Sequence, residues 1–148
     1  MTIASQKEYI RKIRDSSHDI ILGLFDNKNR LIGSSGVQKI NSSETGPWVG
    51  IMIGPNEARG FGLGAAFLWV VTYIIFLHYN VGKVFAGMRV NNVASYSTFY
   101  KIGYRENIIL TKSYISKKIN SNRIIVVSCS KDLILPESIG ITCVKVLP

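Results

Sequence analysis

The sequence predicts a single α+β domain built on a largely antiparallel sheet, with a crossover helix between its middle strands. Three observations predict it. Apolar periodicity switches between helix and strand spacing in the order helix, three strands, helix, strand, helix, two strands. Hydrophobic residues make up 47% and aromatics 10%, enough for a packed core and unlike a disordered chain. No internal repeat, low-complexity tract or linker divides residues 1–148, so one domain is expected.

Each element has a local cause. Ser5 followed by Glu8 reads as a capping box opening a helix to about Arg14. "DIILGLFD" alternates as a strand, "NKNR" is a turn, and "LIGSSGVQKI" is a second strand with a bulge expected at its glycines. The loop "NSSETG" leads into a third strand, "PWVGIMIG". A glycine-rich segment precedes a long apolar helix from about Leu63 to Tyr79. After "NVG", "KVFAGMRV" reads as a strand. "NNVASYSTFYKIG" is a helix capped by Asn and ended by Gly103. "YRENIILTKSYI" and "RIIVVSCSKDLIL" read as two strands around the polar turn "SKKINSN", and the segment from Pro136 is apolar.

Composition narrows the partners. Lys and Arg number 18 against 9 Asp and Glu, a formal charge of +9. Such a surface favours an anionic partner, whether a phosphorylated small molecule, nucleic acid or an acidic membrane. The basic residues are scattered, however, and the densest cluster, Lys7 to Arg14, is interrupted by Glu8. No block resembles a nucleic-acid-binding tail, so nucleic acid is not expected. Cys129 and Cys143 lack metal or CxxC spacing, which points to buried thiols in a reducing cytoplasm and to no metal. The first residues lack the apolar stretch of a secretory signal. Ala65 to Leu77 carries no charge over 13 residues, short of the roughly 20 that a membrane span needs.

The segment "EARGFGLGAA", Glu57 to Ala66, holds three glycines at alternate positions after Arg59. Glycines so dense imply a tight turn or a close approach of backbone to a ligand. A Walker loop would end in Gly-Lys-Ser/Thr, but Gly64 is followed by Ala65. The dinucleotide fingerprint is satisfied formally by Gly60, Gly62 and Ala65. It also wants an acid some 20 positions on, and there is none between Glu57 and Glu106. What remains is Arg59-x-x-Gly62-x-Gly64 between a strand and a helix. Successive N–H groups at the helix N-terminus, the helix dipole and the Arg59 charge would there form a nest for a pyrophosphate.

At this point the sequence resembles the GNAT N-acetyltransferase superfamily. R-x-x-G-x-G after a strand is similar to its acetyl-coenzyme A motif. Asn92 to Tyr104 resembles its N-x-x-S-x-x-x-[YF]-x-K-x-G-[FY] signature, with Asn92, Ser95, Phe99, Lys101, Gly103 and Tyr104 in place. "LIGSSGVQKI" resembles a strand of the branch related to ribosomal-protein acetyltransferases. The resemblance covers Ser5 to about Leu135. It implies a twisted mixed sheet with helices on both faces and a V-shaped split between the two central strands. It implies acetyl-CoA as cosubstrate, with Ile51, Met52 and Ile53 along the pantetheine arm and Arg59, Gly60, Phe61, Gly62, Leu63 and Gly64 around the pyrophosphate. Asn92, Ser95 and Phe99 would contact the arm from the far side. The implied reaction is direct acetyl transfer to a primary amine in a ternary complex. The acceptor is a small molecule such as a nucleotide-linked amino sugar. The alternatives are a protein N-terminus or a non-catalytic binder of acetyl-CoA.

Three departures from the pattern bear on this reading. Phe99 stands where relatives often place the Tyr that protonates the leaving thiolate, and Tyr100 is turned about 100° away on a helix. The loop "IGPNEARG" is one residue longer than usual, a form that resembles GNAT sequences associated with surface-sugar biosynthesis. The sequence opens on a helix, so the superfamily's first strand is expected to be missing, leaving either a short variant or an edge completed by a partner chain, as in a homodimer. No Glu stands on the third strand, so the catalytic base is unassigned. Glu44 is the weak candidate, with His18 and His78 behind it by pKa range. Trp48, Tyr73 and Tyr96 are expected in the core or a pocket wall.

Overall fold

A computed structural model of the chain describes residues 2–42, 46–54, 59–60, 62–117 and 124–131. The elements run α1 (Ile3–Arg14), β1 (Ile20–Phe25), β2 (Leu31–Gln38), β3 (Trp48–Ile53), α2 (Leu63–His78), β4 (Lys83–Arg89), α3 (Val93–Lys101), β5 (Arg105–Glu106), α4 (Ile108–Lys117) and β6 (Ile124–Ser130). They form one six-stranded mixed sheet in the order β1-β2-β3-β4-β6-β5. Only β3 and β4 run parallel, joined by the crossover helix α2. The α+β class and the mostly antiparallel sheet are as the sequence predicts.

Two local expectations are corrected and two are narrowed. The first helix opens one turn earlier than Ser5: Thr2 is its N-cap, accepting the Ser5 N–H at 3.2 Å while Ser5 Oγ accepts the Thr2 N–H at 3.0 Å. A serine at the third helical position thus does the work expected of Glu8. The register shift between Leu24 and Phe25 skips Ile32, so the bulge falls in β2 beside Gly33, while Gly36 keeps regular register. Gly33 is also needed for close packing, since a Cβ there would stand 2.9 Å from the Met52 carbonyl. The expected strand from Tyr104 to Ile115 is a strand only at Arg105–Glu106 and then becomes α4. Asn107 accepts the Leu110 N–H at 3.1 Å, and its carbonyl accepts the Thr111 N–H at 2.9 Å. That cap overrides the β-branched Ile108–Ile109 pair, which is left 59% and 81% exposed. Finally, β6 spans Ile124–Ser130, and Arg123 and residues 132–135 of the expected strand lie outside the described residues. Cys143 and the segment from Pro136 lie outside the described residues.

The sheet has two unlike faces. Val37, Val49, Val84, Ala86, Met88, Val127 and Cys129 are buried with Leu68, Val71 and Ile75 of α2 in one core. α3 lies on that same face: a Cβ at Gly64 would stand 3.7 Å from Ile51, Ile53 and Thr98. α1 lies on the opposite face, where the Tyr9 hydroxyl would be 3.3 Å from a Cβ at Gly36. At the turn between β1 and β2, Asp26 accepts the backbone N–H groups of Lys28 and Arg30 and the Arg30 Nε at 2.7 Å. These bonds, the Arg30 N–H foremost, hold its carboxyl below the ordinary value, so the tie loosens as pH falls through that lowered pKa. No helix of the described residues is long and apolar enough to cross a membrane.

A buried polar pair ties the end of α3 to α2. Tyr104 is fully buried, its ring packed edge-on against Phe99 with centroids 5.0 Å apart. Its hydroxyl is 2.9 Å from Thr72 Oγ1, which itself donates to the Leu68 carbonyl at 2.8 Å. Thr72 has spent its proton, so Tyr104 is the donor, and burial holds its phenol in the neutral form. Tyr104→Phe leaves Thr72 satisfied and is expected to cost about 1 kcal/mol in urea denaturation. Thr72→Val orphans the tyrosine hydroxyl and should cost more, about 1–3 kcal/mol. The reverse order of costs would contradict this donor assignment.

Candidate active site

The central strands part company after one pair. β3 and β4 are in register only at Trp48↔Phe85, just after the Phe85 N–H donates to the Pro47 carbonyl at 2.9 Å. Trp48 and Phe85 stack there, centroids 5.7 Å apart. Beyond this hinge Gly50–Ile53 and Gly87–Arg89 diverge without ladder partners between them. The V-shaped split implied by the sequence is therefore present, and it opens toward the glycine loop. A strand held on one side only leaves backbone donors and acceptors for a ligand with amide groups.

The loop after β3 is shaped by two left-handed glycines. Gly60 has φ +87° and Gly62 φ +79°, and a Cβ at either would meet nothing within 4 Å. Backbone conformation, not crowding, accounts for glycine at both. Gly62 is the N-cap of α2 without a side-chain cap bond, and its carbonyl accepts the Ala66 N–H at 3.0 Å. The N–H groups of Leu63, Gly64 and Ala65 therefore lie in the first turn, where no intrahelical acceptor exists. With the helix dipole, these donors give the N-terminus of α2 the chemistry to receive an anion.

Arg59 behaves differently from a free charge. Its Nε donates to the Ile53 carbonyl at 3.2 Å, and its Nη2 donates to the Ile53 and Gly54 carbonyls at 3.1 Å each. The guanidinium caps the open end of β3, and its Nη1 has no partner among the described residues. Its first effect is to position the nest.

The remaining predicted residues divide between this site and the core. Ile51 and Ile53 turn toward Gly64 and α2, while Met52 is 61% exposed on the opposite face. Asn92 caps α3, its Oδ1 accepting the Ser95 N–H at 3.1 Å. Phe99 is buried against Tyr104, in the core cluster, and lines no part of the groove described below. Tyr100 is held on the outer side of α3, stacked on Tyr96 and under the Arg105 guanidinium at 4.0 Å. Tyr73 stacks on Trp69 on the outside of α2. His78 lies in the last turn of α2, and His18 is exposed, its carbonyl accepting the Ile40 N–H. Burial pushes the Cys129 thiol up to about 11, which rules it out as a thiolate nucleophile at neutral pH. Glu44, Glu57 and Phe61 lie outside the described residues.

Sequence reasoning missed the floor of the site. On the α1 side of the sheet a groove of about 530 Å³ runs across the V, walled by Tyr9, Trp48, Met52 and Arg89. Gly36 and Gly50 are register partners, and Gly87 faces the groove beside them. A Cβ at Gly50 would meet nothing within 4 Å. One glycine inside each of three neighbouring strands was the available signal.

A family model of the acetyltransferase (GNAT) domain matches residues 1–105. The chain belongs to the GNAT acetyltransferase family. No curated protein matches it. Among solved structures it is similar to the spermidine N-acetyltransferase of Vibrio cholerae in complex with CoA and spermine, at TM-score 0.72 and 17% identity, covering 89% of this chain and 77% of that one. A chimera of that enzyme with hSSAT gives TM-score 0.71 at 16% identity, covering 89% and 81%. Mycobacterium smegmatis RimJ in complex with CoA-disulfide gives 0.72 at 16% identity, covering 93% of this chain and 66% of that one. The protein is thus an N-acetyltransferase, and acetyl-CoA is the acetyl donor of its family.

The left-handed glycines, the open helix N-terminus and the unladdered β3 edge fit that donor, and they also separate two glycines by mechanism. Gly62→Ala puts a side chain into the left-handed region and is expected to lower stability by roughly 1–2 kcal/mol. Gly64→Ala stays in ordinary contact at 3.7 Å and should gain about 0.5–1 kcal/mol of helix stability. Thermal melts of the two variants check the opposite signs.

Proposed function

We propose that residues 1–148 act as one cytoplasmic acetyltransferase domain that moves an acetyl group from acetyl-CoA to a primary amine of a small molecule, such as a nucleotide-linked amino sugar. The observation that carries this is the junction of nest, V and groove. When bound, acetyl-CoA supplies the acetyl group as an activated thioester. The N–H groups at Leu63 and Gly64 would hold its pyrophosphate, with Gly60, Phe61 and Gly62 forming the turn around it. Arg59 would keep that turn against β3, and Ile51, Met52 and Ile53 would present backbone groups to the pantetheine amides. Asn92 and Ser95 would close the far side, and Phe99 would support that wall from behind.

The chemistry asked of the chain is mainly positioning and charge stabilisation. The amine enters neutral from the groove on the α1 side and meets the carbonyl carbon in the V. A β3 backbone N–H would stabilise the developing oxyanion. Phe99 has no proton to give and Tyr100 faces away, so water protonates the departing thiolate. Glu44 is our candidate for the base that accepts the amine proton. The exposed Phe25 and Leu31 beside the outer strand β1 suggest that a second copy covers this edge in a homodimer.

Two other acceptors are less well supported. A polyamine, the ligand of the Vibrio cholerae enzyme, is a polycation, and no carboxylate lines the groove among the described residues. A basic protein N-terminus, the second reading, would want the same acidic lining. Free-thiol release from acetyl-CoA, measured against a panel of amines, tests the proposal. Amine-dependent release is expected, and none with any amine would overturn it. Arg59→Ala should weaken acetyl-CoA binding about tenfold, equivalent to ~1.4 kcal/mol, in isothermal titration. Unchanged affinity would remove Arg59 from the donor site.

A further inference from the structure

The groove carries information about its acceptor beyond the amine. Its described walls hold one formal charge, the Arg89 guanidinium. Arg89 ends β4 opposite Ile124 and is exposed. It follows Gly87 by two residues and so projects to the same side of the strand. The salt bridges among the described residues are Glu8–Lys12, Arg14–Asp15 and Asp26–Arg30, and none engages Arg89. Asp19 accepts the Lys39 N–H at 3.0 Å, and Glu106 pairs opposite Val127 at the far edge. An arginine without a counterion among the described residues, facing a concave site in a chain of charge +9, is suited to fork onto a phosphate or carboxylate.

The rest of the groove sets the shape of what lies beside that anion. Gly36, Gly50 and Gly87 leave the floor as bare backbone, and Tyr9 and Trp48 stand over it. A flat, hydroxyl-rich or cyclic body would rest on such a floor, where a Cβ-bearing strand would hold it away. Gly50 has no steric or left-handed requirement of its own, so its missing side chain serves the space above it.

We infer that Arg89 is the specificity-determining residue of the acceptor groove, and that it reads a phosphate or carboxylate carried by the amine substrate. This rests on the acetyl-transfer reading above, and the test separates the two. Equilibrium binding is measured first, on the full chain saturated with CoA, at physiological salt. The probes are glucosamine 6-phosphate against glucosamine, glutamate against glutamine, and spermidine. Either anionic member is expected to bind at least tenfold more tightly than its neutral counterpart, and spermidine more weakly than both anionic probes. The first pair reports a phosphate and the second a carboxylate. Arg89→Gln should collapse the preference at least tenfold while acetyl-CoA affinity stays within twofold of the natural protein. Gly50→Val, whose Cβ enters open space, should weaken both members of a pair without lowering the melting temperature. Absence of any anionic preference, preference for spermidine, or an equal loss of both members on Arg89→Gln would overturn the inference. A matching loss of acetyl-CoA affinity would also overturn it, by assigning Arg89 to the donor. Anion-selective binding without thiol release would refute acetyl transfer and leave the Arg89 assignment standing.

Discussion

The site depends on β3 and β4 pairing once and then separating. Parallel neighbours normally share evenly spaced ladder bonds along their length. Here the ladder is confined to Trp48↔Phe85, with the Phe85 N–H on the Pro47 carbonyl as its anchor. The stacked Trp48 and Phe85 rings hold the closed end, and α2, packed under both strands, holds the open end. A gap in a sheet core costs backbone hydrogen bonds unless something else supplies them. A linear ligand with amides along its length is the natural complement.

Everything else about the site follows from where that gap leads. At its mouth the chain must reverse from β3 into α2, and the left-handed Gly60 and Gly62 allow the turn to leave the first N–H groups of the helix facing outward. Arg59 makes the reversal stiff by forking onto the β3 carbonyls. On one side the V is floored by the core of α2 and α3, closed by the Phe99–Tyr104–Thr72 contacts. On the other side it opens into the glycine-floored groove. Under the proposed function, donor and acceptor would approach one slot from different directions, as direct transfer between two bound substrates requires.

Much of this was legible in the sequence, and the reasons differ by feature. Arg59, Gly60, Gly62 and the Asn92–Tyr104 block carry backbone and capping roles, and such roles restrict residue type strongly enough to be read without coordinates. The split was read only through the resemblance that these residues carry. Ile108 and Ile109 misled because β-branched residues favour strands, whereas the Asn107 cap decided the local structure. Phe99 was read from its place in the motif as a contact of the donor, and in the structure it is buried in the core against Tyr104. The groove was invisible because Gly36, Gly50 and Gly87 come from separate strands and meet only through register.

The most direct test of the central claim is an amide-resolved NMR titration of the isotopically labelled chain with CoA. The largest shifts are expected at the backbone N–H groups of Gly60, Gly62 and Gly64 and along Ile51 to Ile53, with β1 and β5 nearly unmoved. Saturable shifts elsewhere with these amides silent would contradict a donor site made from the β3–β4 split and the N-terminus of α2.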